Sequence, residues 1–113
     1  KNALGSDTQG NRSTALGRFA LGTQNFTTAT ATYNIAIGYS AGGVATTGTD
    51  NILIGGLVGD ALTDGSNNIV LGKDALGADT RGCRSVAIGS LALSAQNSST
   101  LTTPLSVVVQ VMH

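Results

Sequence analysis

One phrase, three mostly apolar residues closed by a glycine, recurs along the chain as Thr14-Ala15-Leu16-Gly17, Ile35-Ala36-Ile37-Gly38, Ile52-Leu53-Ile54-Gly55, Ile69-Val70-Leu71-Gly72 and Val86-Ala87-Ile88-Gly89. The closing glycines stand 21, 17, 17 and 17 residues apart. Self-similarity at a fixed short period is the signature of a stacked-repeat architecture, and it overrides other fold cues. A second glycine precedes four of the five phrases by the same distance, at Gly10, Gly48, Gly65 and Gly82, each with a threonine two residues earlier (Thr8, Thr46, Thr63, Thr80). After each phrase come two variable residues and a small or apolar pair: Ala20-Leu21, Ala41-Gly42, Val58-Gly59, Ala75-Leu76 and Ala92-Leu93. Residues 3–21 match residues 75–93 at 12 of 19 positions, a long-range echo at the same register.

A period of 17 suits either a helical hairpin or a β-coil, and the residue types decide between them. The apolar stretches are short, rich in Ile and Val, and broken by glycine every few positions, which a helix tolerates poorly and a strand–turn coil requires. The chain has 16 Gly, no Trp, two Tyr and two Phe among 113 residues, too few large side chains for a conventional globular core but enough for a thin elongated one. The predicted fold is therefore all-β: a parallel β-solenoid of about five coils, with two short strands per coil, stacked at ~4.8 Å. Residues 1–93 form the repeat region. The long coil carries an insertion over 22–34, expected to protrude, with Ala31 in the place of the turn glycine. Residues 94–113 form a terminating segment, in which Pro104 marks an edge and Val107–Met112 reads as a strand leaving the stack.

Stacking superimposes equivalent positions. Four residues before each phrase glycine lies the column Ser13, Asn34, Asn51, Asn68, Ser85, whose amides read as a structural ladder linking successive coils. All three positions of each phrase are apolar although alternate strand residues face opposite ways. The expectation is that Thr14, Ile35, Ile52, Ile69 and Val86, with Leu16, Ile37, Ile54, Leu71 and Ile88, fill the coil interior. Ala15, Ala36, Leu53, Val70 and Ala87 then face outward and need a second surface. That arrangement predicts a homo-oligomer, with three chains about an axis favoured.

Segments such as Thr47-Gly48-Thr49-Asp50-Asn51-Ile52-Leu53-Ile54-Gly55 and Asn68-Ile69-Val70-Leu71-Gly72-Lys73-Asp74-Ala75-Leu76 resemble the repeats of bacteriophage tail fibres and of trimeric bacterial adhesins, including the heads of YadA-type autotransporters. The resemblance covers residues 3–93. It implies a homotrimeric fibre segment, a structural or adhesive shaft or head, placed outside the cell on a virion or bacterial surface and attaching to a surface glycan or protein receptor. The period is longer than is usual in autotransporter heads, so the phage-type repeat is the closer likeness.

Six basic and six acidic residues give zero net charge, so no nucleic-acid footprint is present. No apolar run is long enough to insert in a membrane. His113 is the sole histidine and stands at the last position, leaving the repeats without a catalytic base. The aspartates lack the glycine-flanked spacing of calcium-binding repeats, and the lone Cys83 has no partner for a disulfide. No enzyme activity, metal or cofactor is expected. Phe26, Tyr33 and Tyr39, with Arg18 or Lys73 beside them, depart from the repeat and are the candidates for a binding surface, although Phe26 also suits packing of the insertion. The threonine column suggests one alternative, an ice-binding or other single-solenoid surface.

Overall fold

The computed structural model describes residues 2–95 and the backbone of Ser106–Val109. The elements, in chain order, are β1 (Gly10–Asn11), β2 (Thr14–Leu16), β3 (Thr30–Ala31), β4 (Ile35–Ile37), β5 (Ile52–Ile54), β6 (Ile69–Leu71), β7 (Ser85–Ile88) and β8 (Ser106–Val109). Each phrase forms one strand, and β2, β4, β5, β6, β7 and β8 lie side by side in sequence order, all parallel. The register follows the repeat without slippage, with Ala36 opposite Leu53, Leu53 opposite Val70 and Val70 opposite Ala87. The described chain is thus an all-β parallel solenoid of about five coils with 17-residue spacing.

Three details of the chain path differ from the sequence expectation, and the facing of the strands is a fourth. The pair after each phrase is not a second strand: it turns a corner, with Phe19, Ser40, Leu57, Asp74 and Leu91 and then Leu21, Gly42, Gly59, Leu76 and Leu93 all at positive φ. The corners still ladder from coil to coil, through bonds such as Leu21 N–H to Ala41 C=O and Leu76 N–H to Ala92 C=O. The inserted residues do not simply project, since β3 pairs with β1. Its register sets Gly10 against Thr30 and Asn11 against Ala31, one residue off the main sheet, so Ala31 does not stand on Gly10. Lastly, the strand expected to leave the stack stays in it: β8 pairs in parallel with β7 over four residues. Pro104 lies outside the described residues.

The phrase glycines are required twice over. Gly17, Gly38, Gly55, Gly72 and Gly89 have φ between 117° and 137°, a region hostile to a side chain, and a Cβ on Gly17 would lie 2.6 Å from the carbonyl oxygen of Gly38 in the next coil. The expectation most clearly reversed is which way the strands face. Ala36, Leu53, Val70 and Ala87 are fully buried and form the core with Ala20, Leu21, Ala41, Val58, Ala75, Leu76 and Ala92. Ile69 and Leu71, which flank Val70, are 45% and 44% exposed, Leu16 beside the partly buried Ala15 is 65% exposed, and the isoleucines of β4 and β5 are half-buried. The physical reason lies one residue upstream: the asparagine ladder must be shielded from water to hold its bonds. Period-two alternation then puts each asparagine and the middle residue of its phrase on the same, inner side.

Candidate functional site

The inner wall of each coil begins at the ladder. Asn34 Oδ1 accepts from the Asn51 backbone N–H at 2.9 Å and from its Nδ2 at 3.2 Å; Asn51 Oδ1 does the same for Asn68, at 3.1 Å in both bonds, and Asn68 Oδ1 accepts from Ser85 N–H at 2.9 Å. Each amide nitrogen also donates to a turn glycine carbonyl, Gly48, Gly65 or Gly82, within 2.9 Å. Asn51 thereby bonds the coil before it, the coil after it and the turn that leads into the following strand. At the start of the stack Gln24 takes over, accepting from Asn34 Nδ2 at 2.8 Å and donating to Ser13 Oγ and the Asp7 carboxylate. Among the described residues no buried side-chain polar atom lacks a partner.

Asp7 is the anchor of this end. Burial alone would push its carboxyl up, but hydrogen bonds from Gln24 and from the backbone N–H groups of Gly10, Gln9 and Phe26 outweigh that and hold it below its ordinary value. Asp79, its counterpart in the 72-residue echo, is fully buried and accepts from Gly82 N–H at 2.9 Å and Arg81 N–H at 3.3 Å. Cys83 is buried and its sulfur receives the Ser66 N–H at 3.4 Å, where the preceding coil uses the Ser66 hydroxyl to receive Thr49 N–H. These groups are occupied in holding turns. Among the described residues no three His, Cys, Asp or Glu side chains converge as metal ligands, and no helix is long and apolar enough to cross a membrane.

Outside the core, two surfaces stand out. The first is the outer face of the sheet: a strip of Leu16, Ile35, Ile37, Ile52, Ile54, Ile69, Leu71, Val86 and Ile88, with Thr14 at one corner. A polar column borders each long edge. Arg12, Tyr33, Asp50, Asn67 and Arg84 turn the left-handed corner before the strands, and Arg18, Tyr39, Gly56, Lys73 and Ser90 follow the phrase glycines. Tyr33 and Tyr39 are both about half exposed and sit on opposite edges, so the fold does not gather them into one site. Tyr33 Oη accepts from Arg12 Nη1 at 2.5 Å, and the Arg12 guanidinium lies 5.5 Å from the tyrosine ring centre. Lys73 pairs with Asp74 at 2.5 Å. Phe26 is not a surface residue: it is 8% exposed and fastens the inserted segment, where its backbone N–H also reaches Asp7.

The second surface is a groove of about 510 Å³ beyond the glycine corner, lined by Asn2, Gly5, Ser6, Phe19, Gly22, Thr23, Ser40, Gly43 and Val44. Its residues come from three successive coils. Gly5, Gly22 and Gly43 are equivalent positions that form a floor without side chains, and the position fills again at Asp60 in the following coil. Phe19 meets Tyr39 edge-on, with ring centres 6.3 Å apart and planes at 71°, while the Arg18 guanidinium covers Phe19 at 4.6 Å. Asp60 is pushed above its ordinary value by burial, with the nearby Asp74 carboxylate adding to it against a backbone hydrogen bond. Sequence reasoning passed over this groove. The signal was present as a glycine five residues past the phrase glycine in consecutive coils.

The threonine column is engaged in stacking. Thr46 N–H donates to Thr63 C=O and Thr63 N–H to Thr80 C=O, and the Thr46 and Thr63 hydroxyls donate to the same carbonyls at 3.2 and 2.9 Å. Comparison of the chain with protein-family models, curated proteins and solved structures gives no match.

Proposed function

We propose that this chain is a segment of a trimeric extracellular fibre, a tail-fibre or surface-adhesin shaft or head, whose three solenoids bring their outer sheet faces together along a common axis. The observation that carries this reading is the outer strip itself. Large branched side chains, Ile35, Ile37, Ile52, Ile54, Ile69, Leu71 and Ile88, line the outward side, while the core side carries Ala36, Val70 and Ala87 and only one residue as large, Leu53. A contiguous apolar patch with polar margins is the anatomy of a protein–protein contact rather than of a surface left in water. The strip is narrow, three residues or ~10 Å across, and the left-handed corner columns end it on both long sides. The likeness of the repeat phrase to trimeric fibre repeats points the same way.

Rigidity follows from the stack, and attachment is read as the role of the surfaces away from the axis, presented to a glycan or protein receptor on a host. The ice-binding alternative draws little support, because the threonine hydroxyls that would order water already donate to carbonyls within the solenoid. The decisive measurement is native particle mass by light scattering or native mass spectrometry. A mass of three chains is expected. A stable monomer at micromolar concentration would overturn the reading.

A further inference from the structure

We propose that the groove lined by Phe19 binds a neutral pyranose, such as the terminal sugar of a surface glycan; this deepens the adhesive reading above and rests on it. The groove's volume, about 510 Å³, lies within the ~300–1,000 Å³ of small-molecule sites. Its chemistry is that of a sugar site. One aromatic ring, Phe19, lines the groove; Arg18 covers one of its faces, and the other is the apolar plane assigned to the C–H face of a pyranose. Around it stand the Asn2 amide and the hydroxyls of Ser6, Thr23 and Ser40, donors and acceptors suited to a ring of hydroxyls, and no lining residue carries a charge. The glycine floor lets the ligand approach the backbone closely. Three stacked coils make the groove ~10 Å long.

The repeat explains why the site is local. The position of Phe19 is held by Ser40, Leu57, Asp74 and Leu91 in later coils, and the floor position of Gly22 by Gly43, Asp60, Gly77 and Ser94, so the floor reopens at Gly77 but no later coil supplies an aromatic ring. The same backbone therefore carries the aromatic plane and the open floor together only near the beginning of the stack. The groove also lies past the Gly17 and Gly38 corner from the outer sheet face, next to the Arg18 and Tyr39 column that borders the strip assigned to assembly.

The repeat further supplies variants that the fold already accepts. Phe19→Leu installs the residue of two other coils, and Gly22→Asp installs that of the third. The test is saturation-transfer NMR and calorimetry on the native particle with free glucose, galactose, mannose, N-acetylglucosamine and their common disaccharides. At least one neutral sugar is expected to bind, about tenfold more weakly to Phe19→Leu, with the melting midpoint of that variant unchanged, and with binding abolished by Gly22→Asp while the particle mass stays that of the parent. Absence of binding at millimolar sugar, or binding indifferent to both variants, overturns the proposal while a trimeric mass leaves the fibre reading intact. Binding of anionic sugars alone also overturns it, by moving recognition to Arg18. A monomer that still binds sugar through Phe19 would sink the fibre reading and keep the groove.

Discussion

Leu53 occupies the space that a side chain on Gly42 would need: a Cβ on Gly42 would lie 2.7 Å from Leu53 Cδ1. The relation extends to Gly59, whose Cβ would sit 3.2 Å from Leu53 Cδ2. In the first, fourth and fifth coils the corner position holds a leucine (Leu21, Leu76, Leu93), and the facing middle position holds Ala15, Val70 or Ala87. Where the strand contributes its largest inward residue, the corner contributes none. The core is filled by exchange of volume between two columns, as close packing demands.

Gly42→Leu is therefore expected to destabilise by about 1–3 kcal/mol through overpacking, although leucine adopts the required left-handed backbone at Leu21 and Leu76. Leu53→Ala should cost about 2–5 kcal/mol through a cavity. Combined, the two should recover much of the loss. Urea denaturation of the four proteins checks this, and strictly additive losses would disprove volume exchange.

The amide ladder makes a sharper demand. Asn51→Asp replaces a donor to Gly65 C=O and Asn34 Oδ1 with a buried carboxylate facing those two acceptors. The new carboxyl should have a folded pKa well above its unfolded value, so stability is recovered as pH falls and lost as pH rises through that folded value. Thermal melts of the variant at pH 4 and pH 7 should show the lower pH as the more stable. Parallel behaviour of variant and parent would mean the ladder contributes little.

Two native carboxyls should respond to pH with opposite signs. Asp7 is held below its unfolded value of 3.8, so its stabilising contribution is complete above that value and fades as pH falls through the lower folded one. Asp60 is raised above 3.8, so its ionisation opposes folding at neutral pH and the penalty vanishes below that value. Asp60→Asn should raise the melting midpoint at pH 7 and not at pH 3, whereas Asp7→Asn should lower it at pH 7 and matter less at pH 3.

Ile54→Asp separates folding from assembly. Ile54 lies on the outer strip, half-buried in a single solenoid, so a charge there stays solvated in the isolated chain and becomes costly only when covered. Circular dichroism should remain that of the parent while the particle mass drops to one chain. Loss of the β-sheet signal itself would show that the strand faces the other way.

The solenoid was legible because spacing is visible in a sequence: the phrase glycines mark the coils, and the column Asn34, Asn51, Asn68 marks a line running through them. The facing was harder because Ile52, Leu53 and Ile54 are all apolar, which removes the alternation that normally separates inside from outside. Asn51 resolves it, since a bonded amide that belongs inside carries Leu53 in with it. The corners were misjudged as strands because left-handed backbone at Leu21 or Leu76 is unusual for leucine, and composition alone does not announce it. Phe26 shows the limit of reading exceptions as sites, for a residue that breaks a repeat often does so to hold an insertion in place.

From Asn34 to Asn68 the ladder bonds join each coil to a neighbour that offers the same groups in the same register, as Asn51 does for Asn68. Such an object has no intrinsic length. Adding or deleting one unit of 17 residues keeps the backbone register and the amide ladder, so reach becomes a count that a gene can change by duplicating or losing a segment. A lineage can then lengthen or shorten the rod by re-matching only the core volumes at the junction.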